Sequence, residues 1–142
     1  PEHVILRVAW LYGQGGPSFF NTMIRLGSQV GDPLKVVNDQ VGNPTSADAL
    51  VPVIKSVLEG KYVGTLHATC EGEATWFEFA REIFELKGVE RKLVPCTSEE
   101  YPRPATRPAN SRLDNMAMRL NSLSPMPDWR TALARFVQEY SE

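Results

Sequence analysis

Short apolar segments alternate with amphipathic ones three times in the first 96 residues, and this alternation constrains the fold more than any other feature. The β-branched and apolar runs predict strands at residues 4–10, 34–37, 63–69 and 92–96. Apolar residues with helical spacing predict helices at residues 17–31, 45–60 and 75–88. Strand–helix–strand units join parallel strands through right-handed crossovers. The sequence therefore predicts an α/β protein with largely parallel strands.

Length and charge narrow the class of protein further. The chain has 142 residues, of which 42% are hydrophobic, and its formal net charge is −2. These values predict one globular domain over residues 1–142, with neither nucleic acid nor a membrane as partner. Cys70 and Cys96 lack the spacing of a metal site or a disulfide framework, which favours a reduced, cytoplasmic setting.

The first predicted strand ends in aromatic residues. Trp10 and Tyr12 follow an apolar run and precede a glycine-rich turn, and Pro17 suits the first position of a helix. Ligands of open α/β sheets bind at the carboxyl ends of the strands, so Trp10 is a binding-site candidate. The alternative is that Trp10 closes the hydrophobic core.

A second hypothesis is a self-contained dinucleotide site. Gly13 and Gly15 lie between a strand and a helix, and Asp39 ends the next strand at the spacing of a ribose-binding acid. The third glycine position of the fingerprint is occupied by Ser18, and residues 10–12 would crowd a pyrophosphate. The fingerprint is therefore incomplete.

The acid–base pair of short-chain reductases is not present in this sequence. Those enzymes place a tyrosine four residues before a lysine that lowers the pKa of the phenol. At that spacing Tyr12 is followed by Gly16, Tyr62 by Leu66 and Tyr101 by Ala105. The sequence likewise offers no nucleophile triad and no metal-ligand cluster.

An arginine-bearing loop is predicted after the last strand of the alternating region. Residues 95–113 contain four prolines and three arginines, Arg103, Arg107 and Arg112, without a helical or strand period. The planar guanidinium suits phosphate, so this loop is either an anion-binding segment or a solvated connection.

Five segments of the sequence resemble those of dTDP-4-dehydrorhamnose reductases. Residues 6–13 are similar to the family's L-R-x-x-W-x-Y-G segment, and residues 39–45 to its D-Q-x-G-x-P-T loop. Residues 76–80 resemble W-x-E-F-A, residues 107–114 resemble R-P-x-N-S-x-L-D, and residues 127–129 match P-D-W. They occur in the family's order and extend over nearly the whole chain.

The resemblance implies the C-terminal, substrate-binding part of a Rossmann-like extended short-chain reductase. Such enzymes reduce the 4-keto group of a dTDP-4-dehydro-deoxysugar with NADPH or NADH to give dTDP-L-rhamnose, and a requirement for Mg²⁺ stays open. By analogy Trp10 would face the deoxysugar, Gln40 would line the cleft and Arg107 would contact the diphosphate.

The same resemblance assigns the cofactor glycines and the Tyr-x-x-x-Lys pair to an N-terminal half of the protein. Without that half, the chain is expected to be inactive, and the open edge of its first strand would favour a homodimer. A rival from another class is a regulatory binding module similar to the regulatory subunit of methionine adenosyltransferase.

Overall fold

The structure is a computed structural model that describes residues 3–101, 105 and 107–140. Its strands are β1 (Val4–Arg7), β2 (Leu11–Tyr12), β3 (Leu34–Val37), β4 (Val41–Gly42), β5 (Thr45–Ser46), β6 (Gly64–His67), β7 (Ala74–Thr75) and β8 (Leu93–Cys96). Its helices are α1 (Phe19–Gly27), α2 (Ala47–Glu59), α3 (Trp76–Lys87), α4 (Met116–Leu120) and α5 (Trp129–Glu139).

The strands pair two by two, and most pairs are parallel. β1 pairs with β6, β2 with β5 and β3 with β8 in parallel, whereas β4 and β7 are antiparallel. Helices α1, α2 and α3 follow strands in the predicted order. The prediction of an α/β protein with largely parallel strands is confirmed, and the antiparallel β4–β7 pair is the exception.

Local capping explains where the helices begin. Thr75 and Glu78 form a capping box at the predicted start of α3, and Gly88 ends that helix in the left-handed conformation at φ 62°. Two other predicted starts were displaced by one residue or two. α1 begins at Phe19 rather than at the predicted Pro17, and Ser18 caps it, because its hydroxyl accepts from the Asn21 N–H. α2 begins after Ser46, because Thr45 lies in β5 and its hydroxyl donates to the Asn43 carbonyl.

The hydrophobic core lies where α3 and α5 pack together beneath β2. Trp129 is fully buried there, and its ring meets Phe79 edge to face with centroids 5.8 Å apart. Tyr12 and Phe136 also meet edge to face, at 5.2 Å. Tyr12 is 2% exposed, and its hydroxyl has no hydrogen-bond partner among the described residues. Desolvation, more than the nearby Cys70 and Asp48, raises the pKa of this phenol well above its ordinary value.

Apolar side chains stay exposed on β1 and on α2. Among the described strands, β1 pairs with β6 alone, and Ile5 on β1 is 48% exposed. On α2, Val51, Ile54 and Leu58 are also exposed. Among the described residues, no helix is both long and apolar enough to cross a membrane.

Candidate substrate site

The site begins where two parallel strands end. Val37 and Cys96 are register partners at the ends of β3 and β8, so the residues that follow them lie side by side. Two positions further on, the Ser98 hydroxyl donates to Oδ1 of Asp39 at 2.7 Å, and the Ser98 N–H donates to Oδ2 at 2.8 Å. These two bonds, the backbone one first, hold the pKa of Asp39 below its ordinary value.

Gln40 connects this pair of loops to helix α3. β4 and β7 pair antiparallel with Val41 opposite Thr75, which brings Gln40 close to Trp76 at the start of α3. Trp76 Nε1 donates to Oε1 of Gln40 at 3.2 Å, and Gln40 Nε2 donates to the Ser98 hydroxyl at 2.8 Å. Both ends of the Gln40 amide therefore bind protein groups.

Trp10 stacks on Trp76 in an unusual backbone conformation. The two indoles are nearly parallel, with an interplanar angle of 8° and centroids 3.5 Å apart. Trp10 has φ 46°, in the left-handed region that a bulky residue rarely adopts. A Cβ on Gly42 would lie 2.6 Å from Nε1 of Trp10, so only glycine leaves room for the indole. Strain of this kind is concentrated at functional sites.

The proline- and arginine-bearing segment packs against β4, the strand that contains Val41 and Gly42. Val41 donates its N–H to the Ala109 carbonyl at 2.8 Å and accepts from the Ser111 N–H at 2.9 Å. The Ser111 hydroxyl accepts from Nε1 of Trp10 at 3.0 Å. Arg112 forms an ion pair with Glu73 at 2.6 Å. These contacts fix the chain on the C-terminal side of Arg107, and Arg103 lies outside the described residues.

A cavity of about 150 Å³ opens beside the stacked indoles. Its described lining contains Lys35 and Arg107 and no carboxylate, so the cationic groups are not neutralised from within the cavity. Met23, Leu26, Leu34 and Val36 contribute apolar surface, and Trp76 contributes an aromatic face. The arrangement suits a ligand that carries a flat ring and a negative charge.

The structure brings the three predicted site residues into one region but not into identical environments. Gln40 and Arg107 both line the cavity, whereas Trp10 lies behind Trp76 and contacts the site through the stack. Sequence reasoning missed Trp76, Ser98 and Lys35 as site residues. Trp76 directly follows the capping residue of α3, and that position could have indicated its role.

The environment of Asp39 differs from the one that the alternative dinucleotide site would need. Asp39 uses both carboxylate oxygens for Ser98, where a ribose-binding acid would present them to the ligand. Gly13 packs against α2, because a Cβ there would lie 3.0 Å from the Cβ of Ala47. The acid and the first glycine of this alternative are therefore both engaged by protein groups. Within the described ranges, no group of three or more His, Cys, Asp or Glu residues could hold a metal ion.

Comparisons with known proteins agree with these observations. A family model described as the RmlD substrate binding domain matches residues 1–142. A probable dTDP-4,6-dihydroxy-2-methyloxan-3-one 4-ketoreductase from Streptomyces antibioticus is 42% identical over 94% of this chain and 45% of its own length.

Two crystal structures of dTDP-4-dehydrorhamnose reductases are also similar. The one from Clostridium acetobutylicum is 45% identical with a TM-score of 0.92, and the match covers 98% of this chain and 49% of that one. The one from Bacillus anthracis, in complex with NADP, is 36% identical with a TM-score of 0.92, covering 99% and 49%. The chain spans about half the length of the curated relatives it matches.

Proposed function

The chain belongs to the RmlD substrate binding domain family, and we propose that it forms the sugar-nucleotide-binding half of a dTDP-4-dehydrorhamnose reductase. The complete enzyme would reduce the 4-keto group of a dTDP-4-dehydro-deoxysugar with NAD(P)H. The observation that carries this proposal is the cationic, partly apolar cavity beside the Trp10–Trp76 stack. Residues 1–142 would act as one domain of a cytoplasmic protein, a setting that the two free cysteines favour.

The cavity lining offers apolar and cationic contacts, and a nucleoside diphosphate carries both a flat ring and a negative charge. The whole cavity, at about 150 Å³, has room for one six-membered ring, so the diphosphate would lie at its mouth. The Trp76 face and the side chains of Leu34 and Val36 would take the pyrimidine base. Arg107 and Lys35 would bind the diphosphate, with the Arg107 guanidinium supplying paired hydrogen bonds.

The deoxysugar would extend from the diphosphate towards the indole pair. Flat aromatic faces pack well against the C–H surface of a sugar ring, and Trp76, with Trp10 stacked behind it, forms an aromatic wall. Gln40 would act mainly by orienting Trp76, because its amide already bonds Trp76 and Ser98. This refines the place in the lining of the cleft that the family resemblance implies for Gln40.

The cofactor would bind chiefly to another half of the protein. When bound, NAD(P)H supplies the hydride, and the acid of the alternative dinucleotide site, Asp39, is already engaged by Ser98. Tyr12 is no substitute for the catalytic tyrosine, because burial raises its pKa far from the working range of a proton donor. The open edge of β1 and the exposed apolar face of α2 are surfaces that such a half would cover.

Calorimetric titration of the chain with dTDP, thymidine, ADP and NADPH tests the proposal. We expect dTDP to bind more tightly than thymidine, because only dTDP engages the cations, and we expect NADPH to bind weakly. Equal binding of dTDP and ADP would contradict a base-selective cavity. Stoichiometric NADPH binding would instead favour the self-contained dinucleotide site.

A second measurement separates the enzyme from the regulatory alternative. When an N-terminal cofactor-binding half is supplied, oxidation of NADPH in the presence of dTDP-4-dehydrorhamnose is expected. Intact dTDP binding without any oxidation would favour a regulatory binding module.

A further inference from the structure

We propose that Asp39 and Ser98 are positioning residues for the aromatic wall of the site, acting on Trp76 through Gln40 and on Trp10 through the indole stack. Neither residue lines the cavity. The inference deepens the proposed function and depends on it for its consequence in binding. It rests on a hydrogen-bonded series whose members come from three separate parts of the chain: residues 39–40, Trp76 and Ser98.

The direction of every bond in the series is fixed by chemistry. An indole N–H can only donate, so the Gln40 oxygen faces Trp76 and the Gln40 nitrogen faces Ser98. Since the Ser98 oxygen accepts from Gln40, its proton points to Asp39, whose carboxylate can only accept when ionised. The series therefore runs one way, from Trp76 to Asp39, and no member can reverse without losing a bond.

Asp39 and Ser98 are held at their places by the sheet. They follow the paired ends of β3 and β8, and the Asn38 N–H extends that pairing to the Cys96 carbonyl at 2.9 Å. Ser98 also fixes both carboxylate oxygens of Asp39. The outer end of the series is thus anchored to regular structure, although its members lie on loops.

The inner end of the series fixes the plane of Trp76, on which Trp10 stacks. Trp76 is fixed at its nitrogen by Gln40, and its ring lies 3.5 Å from the ring of Trp10. Trp10 is fixed at its own nitrogen by Ser111, which also donates to the Val41 carbonyl at 3.2 Å. If Ser98 lost its hydroxyl, the Gln40 amide could rotate, and Trp76 would lose the acceptor that fixes its plane.

Indole N–H hydrogen exchange, measured by NMR on the full chain, tests the proposal without any ligand. In Ser98→Ala we expect exchange at Nε1 of Trp76 to become faster. Exchange at Nε1 of Trp129 should stay unchanged, because that group donates to the Glu73 carbonyl in the core. Ser98→Thr keeps the hydroxyl and should restore slow exchange, and Ser56→Ala in α2 serves as the matched control.

Affinity for dTDP supplies the second readout. Loss of one hydrogen bond in the series should weaken dTDP binding about two- to tenfold in Ser98→Ala, with recovery in Ser98→Thr. Should Ser98→Ala fail to fold, Asp39→Asn is measured instead, because its amide cannot accept the Ser98 N–H and hydroxyl as the carboxylate does. We expect it to accelerate exchange at Trp76 as well.

Two results would overturn the positioning role. One is unchanged exchange at Trp76 in a folded Ser98→Ala variant. The other is parallel acceleration at Trp76 and Trp129, which would mean a global loss of stability. Absence of dTDP binding by the unaltered chain would count against the proposed function instead, and the exchange measurement would still decide whether the series orients Trp76.

Discussion

Trp129 and the Trp10–Trp76 pair show how one residue type serves two regions of the molecule differently. Trp129 is fully buried, meets Phe79 edge to face and donates to a backbone carbonyl. Trp10 and Trp76 are partly buried, stack face to face and donate to side chains carried by loops. The core tryptophan bonds to the backbone within close packing, whereas the site pair bonds to side chains that loops carry.

The backbone tells the same difference. Trp129 begins helix α5 directly after its capping residue Asp128, an ordinary position. Trp10 comes after strand β1, and its own backbone φ is positive. Its indole fits because Gly42, which lies against it, has no Cβ. Such a conformation persists only where the surroundings over-determine it. The core tryptophan therefore stabilises the fold from an unstrained backbone, whereas the aromatic surface of the site is presented by a strained backbone at Trp10.

The largest expected effect comes from substituting the core tryptophan. Trp129→Ala should lower the free energy of unfolding by about 3–5 kcal/mol, because it leaves a cavity among α3 and α5. Denaturant unfolding followed by circular dichroism measures this. If the free energy of unfolding fell by no more than about 0.5 kcal/mol, as for a typical surface substitution, Trp129 would not be central to the core.

Arg107 sharpens the comparison on the ligand side, since it contributes charge rather than packing. Arg107→Ala should weaken dTDP binding by roughly one to two orders of magnitude and leave the unfolding midpoint unchanged. Arg107→Lys should recover only part of the affinity, because an ammonium cannot form the bidentate contact. Arg81→Ala, an exposed arginine on α3, is the control, and unchanged dTDP binding in Arg107→Ala would exclude the role.

Gly42→Ala tests whether the site pair is held as tightly as the core. The added Cβ would overlap the Trp10 indole, and overpacking of this kind costs about 1–3 kcal/mol. We expect lower thermal stability together with altered tryptophan fluorescence. Gly16→Ala, where a Cβ meets nothing within 4 Å, should be nearly neutral. Equal behaviour of the two variants would refute the close approach of Gly42 to Trp10.

Trp10→Phe tests whether Trp10 acts in the site or in the core. Loss of the stacked indole should remove about 0.5–1.5 kcal/mol of aromatic interaction, weakening sugar-nucleotide use while leaving cofactor binding by the complete enzyme nearly intact. Steady-state kinetics with both substrates measures the difference. If the variant unfolds and the surviving protein shows no specific kinetic effect, Trp10 belongs functionally to the core.

The smallest expected effect is a pH dependence confined to the loops. Because the folded-state pKa of Asp39 is lowered by Ser98, its contribution to stability is complete above the unfolded pKa of about 3.9. It is lost as the pH falls through the lower folded-state pKa. The difference in Tm between the unaltered chain and Asp39→Asn should therefore shrink in acid, and a constant difference would contradict the Asp39–Ser98 interaction.

Much of the architecture could be predicted from local sequence. The alternation of strand and helix, the capping box of Thr75 and Glu78 and the end of α3 at Gly88 depend on neighbours close in the chain. Predictions failed where a distant partner competed for a side chain. Thr45 has a typical capping residue's hydroxyl, yet it lies in β5 and accepts from the Cys70 N–H, which only the folded chain brings near.

The sequence by itself determined the family, the α/β class and the segments from which the site is built, since these follow from residue types and their order. Only the tertiary structure decided that Trp76 stacks on Trp10. It also decided that the Gln40 amide bonds to Trp76 and Ser98, and that Asp39 accepts from Ser98. Hydrogen bonds join Gln40 to Ser98 across 58 positions and Trp10 to Ser111 across 101. No local pattern encodes partners so far apart, because strand register brings them together only after the chain has folded.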